Sequence, residues 1–180
     1  MSVLADALSV VIQCSVLEAK YPGGERAYRQ SFPSEFYCSD GRLARVKFYC
    51  VEEMFPFVER LTLWGLSLEA DWAPADIALL DGEGGIRNSC DWLEFGMHDG
   101  GYPMAWMRGE ARGPLAVPEG WEPSDSLELT RIAEEECDER LMLIAAEGGM
   151  RVYLDLATGR EFPVRQVMPE EETDEWKAGG

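Results

Sequence analysis

The sequence predicts an α+β domain: mainly antiparallel sheet built from several β-hairpins, with two or three short helices packed on it. Three observations predict it. Asp-Gly and Gly-Gly pairs separate short apolar runs at three places, the chemistry of tight hairpin turns. Helical periodicity is confined to brief stretches of the first third of the chain. Strands and helices do not alternate regularly, as a parallel sheet with crossover helices would require.

Leu8 to Cys14 (LSVVIQC) is short, apolar and β-branched at its centre, and reads as a buried strand. Ser15 to Glu18 has the capping-box form and should open a short helix. Tyr21-Pro22-Gly23-Gly24 must end it, since a residue before proline avoids the helical region. Glu25 to Gln30 reads as a second short helix, stopped by Phe32-Pro33. Glu35 to Cys38 and Leu43 to Cys50 then flank Ser39-Asp40-Gly41 as the first hairpin. In its second arm Ala44, Val46, Phe48 and Cys50 alternate with Leu43, Arg45, Lys47 and Tyr49, so the first set should form the core face of a half-buried strand.

Val51, Met54, Phe55, Val58 and Leu61 fall at helical spacing, with Gly65 where a C-terminal cap belongs. Pro56 argues for a helix from Glu53 to Trp64, because the first turn has no internal amide bonds to lose. Asp76 to Leu80 reads as a buried strand closed by a loop over residues 81–85. Asp91 to Met97 and Tyr102 to Arg108 form a second hairpin around residues 98–101. Residues 111–125 hold three prolines and two glycines around Trp121, a long surface connection and the candidate sub-boundary of the chain. Ser126 to Ile132 is too short in its periodicity to assign. Arg140 to Ala146 and Met150 to Leu156 form a third hairpin, and Arg160 to Val167 adds a further strand. The reading is one domain over residues 1–168 with a mobile acidic tail over 169–180. No period of 20 to 50 residues recurs, which excludes a solenoid.

The 180 residues carry 34 Asp and Glu against 16 Lys and Arg, a net charge of −18. Such an excess excludes direct nucleic-acid binding by broad phosphate neutralisation and disfavours an anionic membrane surface. The charge is uneven: residues 1–90 hold 13 acids against 8 bases, and residues 91–180 hold 21 against 8. Two acidic runs stand out, Glu134-Glu135-Glu136-Cys137-Asp138-Glu139 and Glu170-Glu171-Glu172-Thr173-Asp174-Glu175. Five cysteines, an odd number without knuckle or redox-pair spacing, fit a reducing cytosol and predict a cytoplasmic location. Met1 to Val16 carries Asp6 and no basic residue, a poor signal peptide. No apolar run approaches the roughly 20 residues that span a bilayer.

Chemistry is sparse, and no catalytic residue, cofactor or metal site is predicted. His98 is the only histidine and sits in a hairpin turn, where an imidazole is more often solvated than catalytic. A Cys90–His98 nucleophile pair would have to bridge roughly 20 Å by strand rise. The spacing of Cys90, Asp91 and His98 matches no structural zinc pattern. Gly82 to Gly85 follows a strand, yet lacks the Gly-x-Gly-x-x-Gly or Gly-Lys-Ser/Thr signature and carries Asp81 and Glu83. Carboxylate pairs such as Asp91 with Glu94 or Asp76 with Asp81 are too numerous to single one out.

Aromatic residues are more suggestive. Trp92 and Trp106 lie on the two arms of the second hairpin, with Leu93, Phe95 and Met97 on one face and Trp92 opposite. Such residues either fill a core or form an aromatic-Met contact patch. Three functional readings follow. The leading one is an acidic protein-binding domain of immunity or inhibitor type, covering a basic protein partner such as a nuclease-like bacterial toxin. Its contacts would come from Glu134, Glu135, Glu136, Asp138 and Glu139, with Trp92, Trp106 and Trp121 as aromatic anchors. A broader form of it is a nucleic-acid mimic, with carboxylates in place of phosphates. The alternatives are a small-molecule-binding protein or enzyme with a pocket near the Trp92/Trp106 hairpin, and an accessory subunit of a larger assembly.

Overall fold

The computed structural model describes residues 1–69, 74–82, 84–123, 126, 141–147, 150–156, 159 and 161–165. Over these residues the fold is α+β, with three helices and three sheets. Five strands form a central antiparallel sheet: β2 (Leu8–Gln13), β3 (Tyr37–Ser39), β4 (Leu43–Phe48), β5 (Ile77–Asp81) and β6 (Gly85–Ile86), in the order β3-β4-β2-β5-β6. A second sheet has the order β7-β8-β1-β9, from β1 (Ser2–Leu4), β7 (Leu93–Met97), β8 (Pro103–Met107) and β9 (Leu115–Ala116). The third consists of β10 (Leu141–Glu147), β11 (Met150–Asp155) and β12 (Glu161–Arg165), paired in sequence.

Period-two alternation divides the central sheet between two cores. Val10, Ile12, Ala44, Val46 and Phe48 face the helices α1 (Cys14–Lys20), α2 (Gly24–Gln30) and α3 (Val51–Leu63), meeting Leu17, Tyr28, Phe57 and Leu61 there. Their neighbours Val11, Leu43, Ala78 and Leu80 face the other way, onto Val3, Leu93 and Ala105 of the second sheet. The result is three layers, helices over sheet over sheet. It corrects the expectation of a half-buried β4: Ala44, Val46, Phe48 and Cys50 are core residues as expected, but Leu43 and Arg45 on the opposite face are buried too. The alternation of polar and apolar residues misleads because Arg45, with no exposed surface, is neutralised inside the protein by Asp6.

Two helix starts also differ from expectation. α1 begins at Cys14, one residue before the expected cap, and Gln13 precedes it with no side-chain cap. Ser15 is therefore inside the helix, and Glu18 instead accepts a hydrogen bond from the Glu25 amide, joining α1 to α2. α3 begins at Val51 rather than Glu53, so Pro56 lies within the helix. Met54, Phe57, Val58 and Leu61 form its buried stripe, whereas Phe55 points to solvent. Phe57 takes the place expected of Phe55, packing edge-on against Phe32 with ring centroids 5.3 Å apart.

The first hairpin turn is built by its own side chains. The Asp40 carboxylate accepts the amides of Arg42 and Leu43, Ser39 accepts that of Gly41, and Gly41 takes φ +86°. The 111–125 connection is stitched to the second sheet: Leu115 and Ala116 run parallel to Ser2 and Val3 as β9. The second and third hairpins and the final strand form at the expected places. Residues 127–132 and the 169–180 tail lie outside the described residues. Among the described residues no helix is long and apolar enough to cross a membrane.

Candidate functional site

Glu134, Glu135, Glu136, Asp138 and Glu139 lie outside the described residues. The three tryptophans are described, and they do not form one patch. The Trp92 indole N–H donates to the Ala75 carbonyl, and its ring packs against the core between the two sheets. Trp121 packs edge-on against Tyr102, with ring centroids 5.4 Å apart, and donates to Ser126. Trp106 is buried at the register position shared by Glu94 and Ser2, on the face of its sheet turned away from the central sheet.

The candidate catalytic groups are occupied elsewhere. The His98 Nδ1 accepts the Gly100 amide within its own turn. Burial pushes the thiols of Cys14, Cys38 and Cys90 up, the opposite of what an activated nucleophile needs. Burial would raise Asp76, but Lys20 at 2.6 Å and Ser67 outweigh it and hold its carboxyl below the ordinary range. Asp81 pairs with Arg87 at 2.6 Å. No group of three His, Cys, Asp or Glu residues among the described residues is arranged to hold a metal.

Around Trp106 there is an open cleft of about 490 Å³, within the size range of small-ligand sites. Ile86 and Phe95 supply apolar walls, and Glu94, Arg108 and Arg112 supply charge. The indole N–H of Trp106 donates to Glu94 Oε2 at 2.8 Å, as a cross-strand pair on one face should. Gly96 makes room for the ring: a Cβ there would lie 3.0 Å from the indole. The Arg112 guanidinium, delivered by the turn before β9, covers the same ring at 4.5 Å. Arg108 reaches Glu94 only at 4.0 Å. Trp106 and Glu94 are among the residues that the sequence singles out, for a contact patch and an acid-base pair. Arg112 is not, because no spacing connects it to the hairpin; β9 does.

A second surface lies on β10, the first strand of its sheet and paired only on one side among the described residues. A bulge at Ile144 interrupts its pairing with β11. Met142, Leu143 and Ile144 are 46%, 48% and 41% exposed, three consecutive large apolar side chains open to solvent. The acidic run 134–139 immediately precedes this strand in sequence.

Comparison with protein-family models, with curated proteins and with solved structures finds no match to this chain.

Proposed function

We propose that this chain is an acidic protein-binding domain of the immunity or inhibitor kind, which covers a basic protein partner such as a nuclease-like toxin. The observation that carries the reading is the exposed Met142-Leu143-Ile144 stretch, which follows closely in sequence on one of the two acidic runs of the chain. Binding surfaces combine an apolar centre, which sets residence time, with a charged periphery, which sets encounter rate. Exposed apolar residues in a row are uncommon on an isolated domain and mark contact surfaces. The bulge works against simple strand-to-strand addition, so the side chains of β10 would make the contact rather than its backbone. Trp92, Trp106 and Trp121 are engaged within the fold, and the reading does not need them at the interface.

The test is affinity capture from the source cells at low and moderate salt, with three baits: the unaltered chain, Leu143→Lys, and Glu134→Gln/Glu135→Gln/Glu136→Gln. A basic protein that the unaltered chain retains at low salt should be lost with Leu143→Lys. With the triple variant it should associate more slowly and with a flatter salt dependence. Equal retention by all three baits would refute the reading.

A further inference from the structure

We infer that the Trp106 cleft is a carboxylate-binding site, one that takes a carboxylate carried on a small apolar or aromatic body. It is independent of the β10 surface and of the partner proposed for it.

The charge balance of the cleft runs against that of the chain. Two guanidinium groups, Arg108 and Arg112, share it with one carboxylate, Glu94. That carboxylate is already engaged by the indole N–H, and its contact with Arg108 is long, at 4.0 Å. Among the described residues Arg112 makes no ion pair. Among the described residues, a chain of net charge −18 thus keeps a cation without an ion-pair partner over an aromatic face. The guanidinium carbon lies 4.5 Å from the centre of the indole, and a guanidinium is a planar fork of N–H donors that a carboxylate accepts with two oxygens.

Backbone geometry adds a donor. β7 is the outer strand of its sheet, and its pairing with β8 is bracketed by Arg108 N–H to Trp92 O and His98 N–H to Tyr102 O. Alternation then turns Glu94 and Gly96 toward β8 and Phe95 toward the free edge. The Phe95 amide therefore points to the outer edge of the sheet, and Phe95 and Ile86 both line the cleft. Guanidinium fork, edge amide and apolar wall together select an anion with a flat or aliphatic body over a bare ion.

Two sources offer this chemistry, a free organic acid and the C-terminal residue of a peptide. Titration of the ¹⁵N-labelled full chain, followed at the Trp106 indole N–H signal (assigned with Trp106→Phe), tests the site and separates them. The probes are phenylacetate, its neutral isostere phenylacetamide, inorganic phosphate, and acetyl-Gly-Gly-Phe with a free C-terminus. Phenylacetate should shift the signal saturably and phenylacetamide should not. Arg112→Ala should weaken phenylacetate binding at least about tenfold, while Glu94→Gln, which removes the competing charge and keeps an acceptor for the indole, should strengthen it. Tighter binding of the peptide than of phenylacetate assigns the site to a chain terminus, and the reverse assigns it to a free acid. An unshifted signal with both carboxylates, an equal response to phosphate, or an unchanged affinity in a folded Arg112→Ala variant would overturn the inference.

Discussion

Ser126 and Asp6 stand 120 positions apart in the chain, and the Ser126 hydroxyl donates to Asp6 Oδ2 at 2.7 Å. The same hydroxyl oxygen accepts the Trp121 indole N–H at 2.9 Å, and Asp6 Oδ1 accepts Arg45 at 2.7 Å. One chain of polar contacts therefore runs from the end of the 111–125 connection to a charge buried between the sheets. Removing the hydroxyl leaves a buried carboxylate oxygen without its donor. Ser126→Ala should cost about 1–3 kcal/mol, whereas Trp121→Phe, which keeps the Ser126–Asp6 bond, should cost less. Urea denaturation of both variants checks the order; a costlier Trp121→Phe would mean that the ring, not the hydroxyl, fastens the segment.

The Arg45–Asp6 pair predicts a larger effect and a pH dependence. Burial alone would raise Asp6, but Arg45, Ser126 and Lys47 outweigh it and hold its carboxyl below the ordinary aspartate value of 3.8. A depressed carboxyl contributes stability that is complete above 3.8 and lost as pH falls through the folded-state value below it. Asp6→Asn removes that acid dependence and strands a guanidinium with no exposed surface, at a cost of about 3–5 kcal/mol. Replacing both partners with apolar residues, Asp6→Leu with Arg45→Met, should recover much of the loss. Denaturation midpoints from pH 2 to pH 7 for the three chains test both statements.

The legible parts of this fold are local ones. Ser39-Asp40-Gly41 encodes its turn through side chains that bind the turn's own amides, so the hairpin reads directly from three residues. β1 and β9 are not legible: one has three residues and the other two, and each is held by partners about 100 positions away or more along the chain. Arg45 misleads because polar residues at alternate positions signal a wet face, and only the position of Asp6 makes that face dry. The cleft is half legible for the same reason. Trp106 and Glu94 are cross-strand neighbours that a hairpin reading aligns, whereas Arg112 arrives through a two-residue parallel strand.

Pro56 lies at the sixth position of α3, past the first turn, so its ring denies the Glu52 carbonyl an intrahelical partner. The site is solvent-exposed, and no core contact depends on the ring. Pro56→Ala should therefore stabilise the protein by about 1–2 kcal/mol, the helix gain exceeding the greater freedom of the unfolded chain. Thermal denaturation checks the sign; a neutral or destabilising result would show that the proline restrains the unfolded chain more than it weakens the helix.

Gly82 and Gly84 make a paired prediction about how closely the layers approach. A Cβ on Gly82 would lie 2.7 Å from the Asp6 carbonyl carbon and 2.8 Å from its oxygen, backbone atoms that cannot step aside. That contact presses the end of β5 against the link between β1 and β2, where the buried aspartate sits. The nearest atoms to a Cβ on Gly84 belong to the guanidinium of Arg87, the far end of a half-exposed side chain, which can step aside by loosening its bond to Asp81. Gly82→Ala must separate the two strands or bend the link, and should cost about 2–3 kcal/mol, in the range of overpacked sites. Gly84→Ala should cost less, about 1 kcal/mol or under, the worth of a half-exposed ion pair. Because the Gly82 contact is with Asp6, the first variant should also weaken the Asp6–Arg45 pair and flatten the acid dependence of stability, which the second leaves intact. Denaturation of both at pH 7 and pH 3 separates a local clash from a disturbed ion pair: equal losses for Gly82→Ala at the two pH values would mean that the strain never reaches the carboxylate.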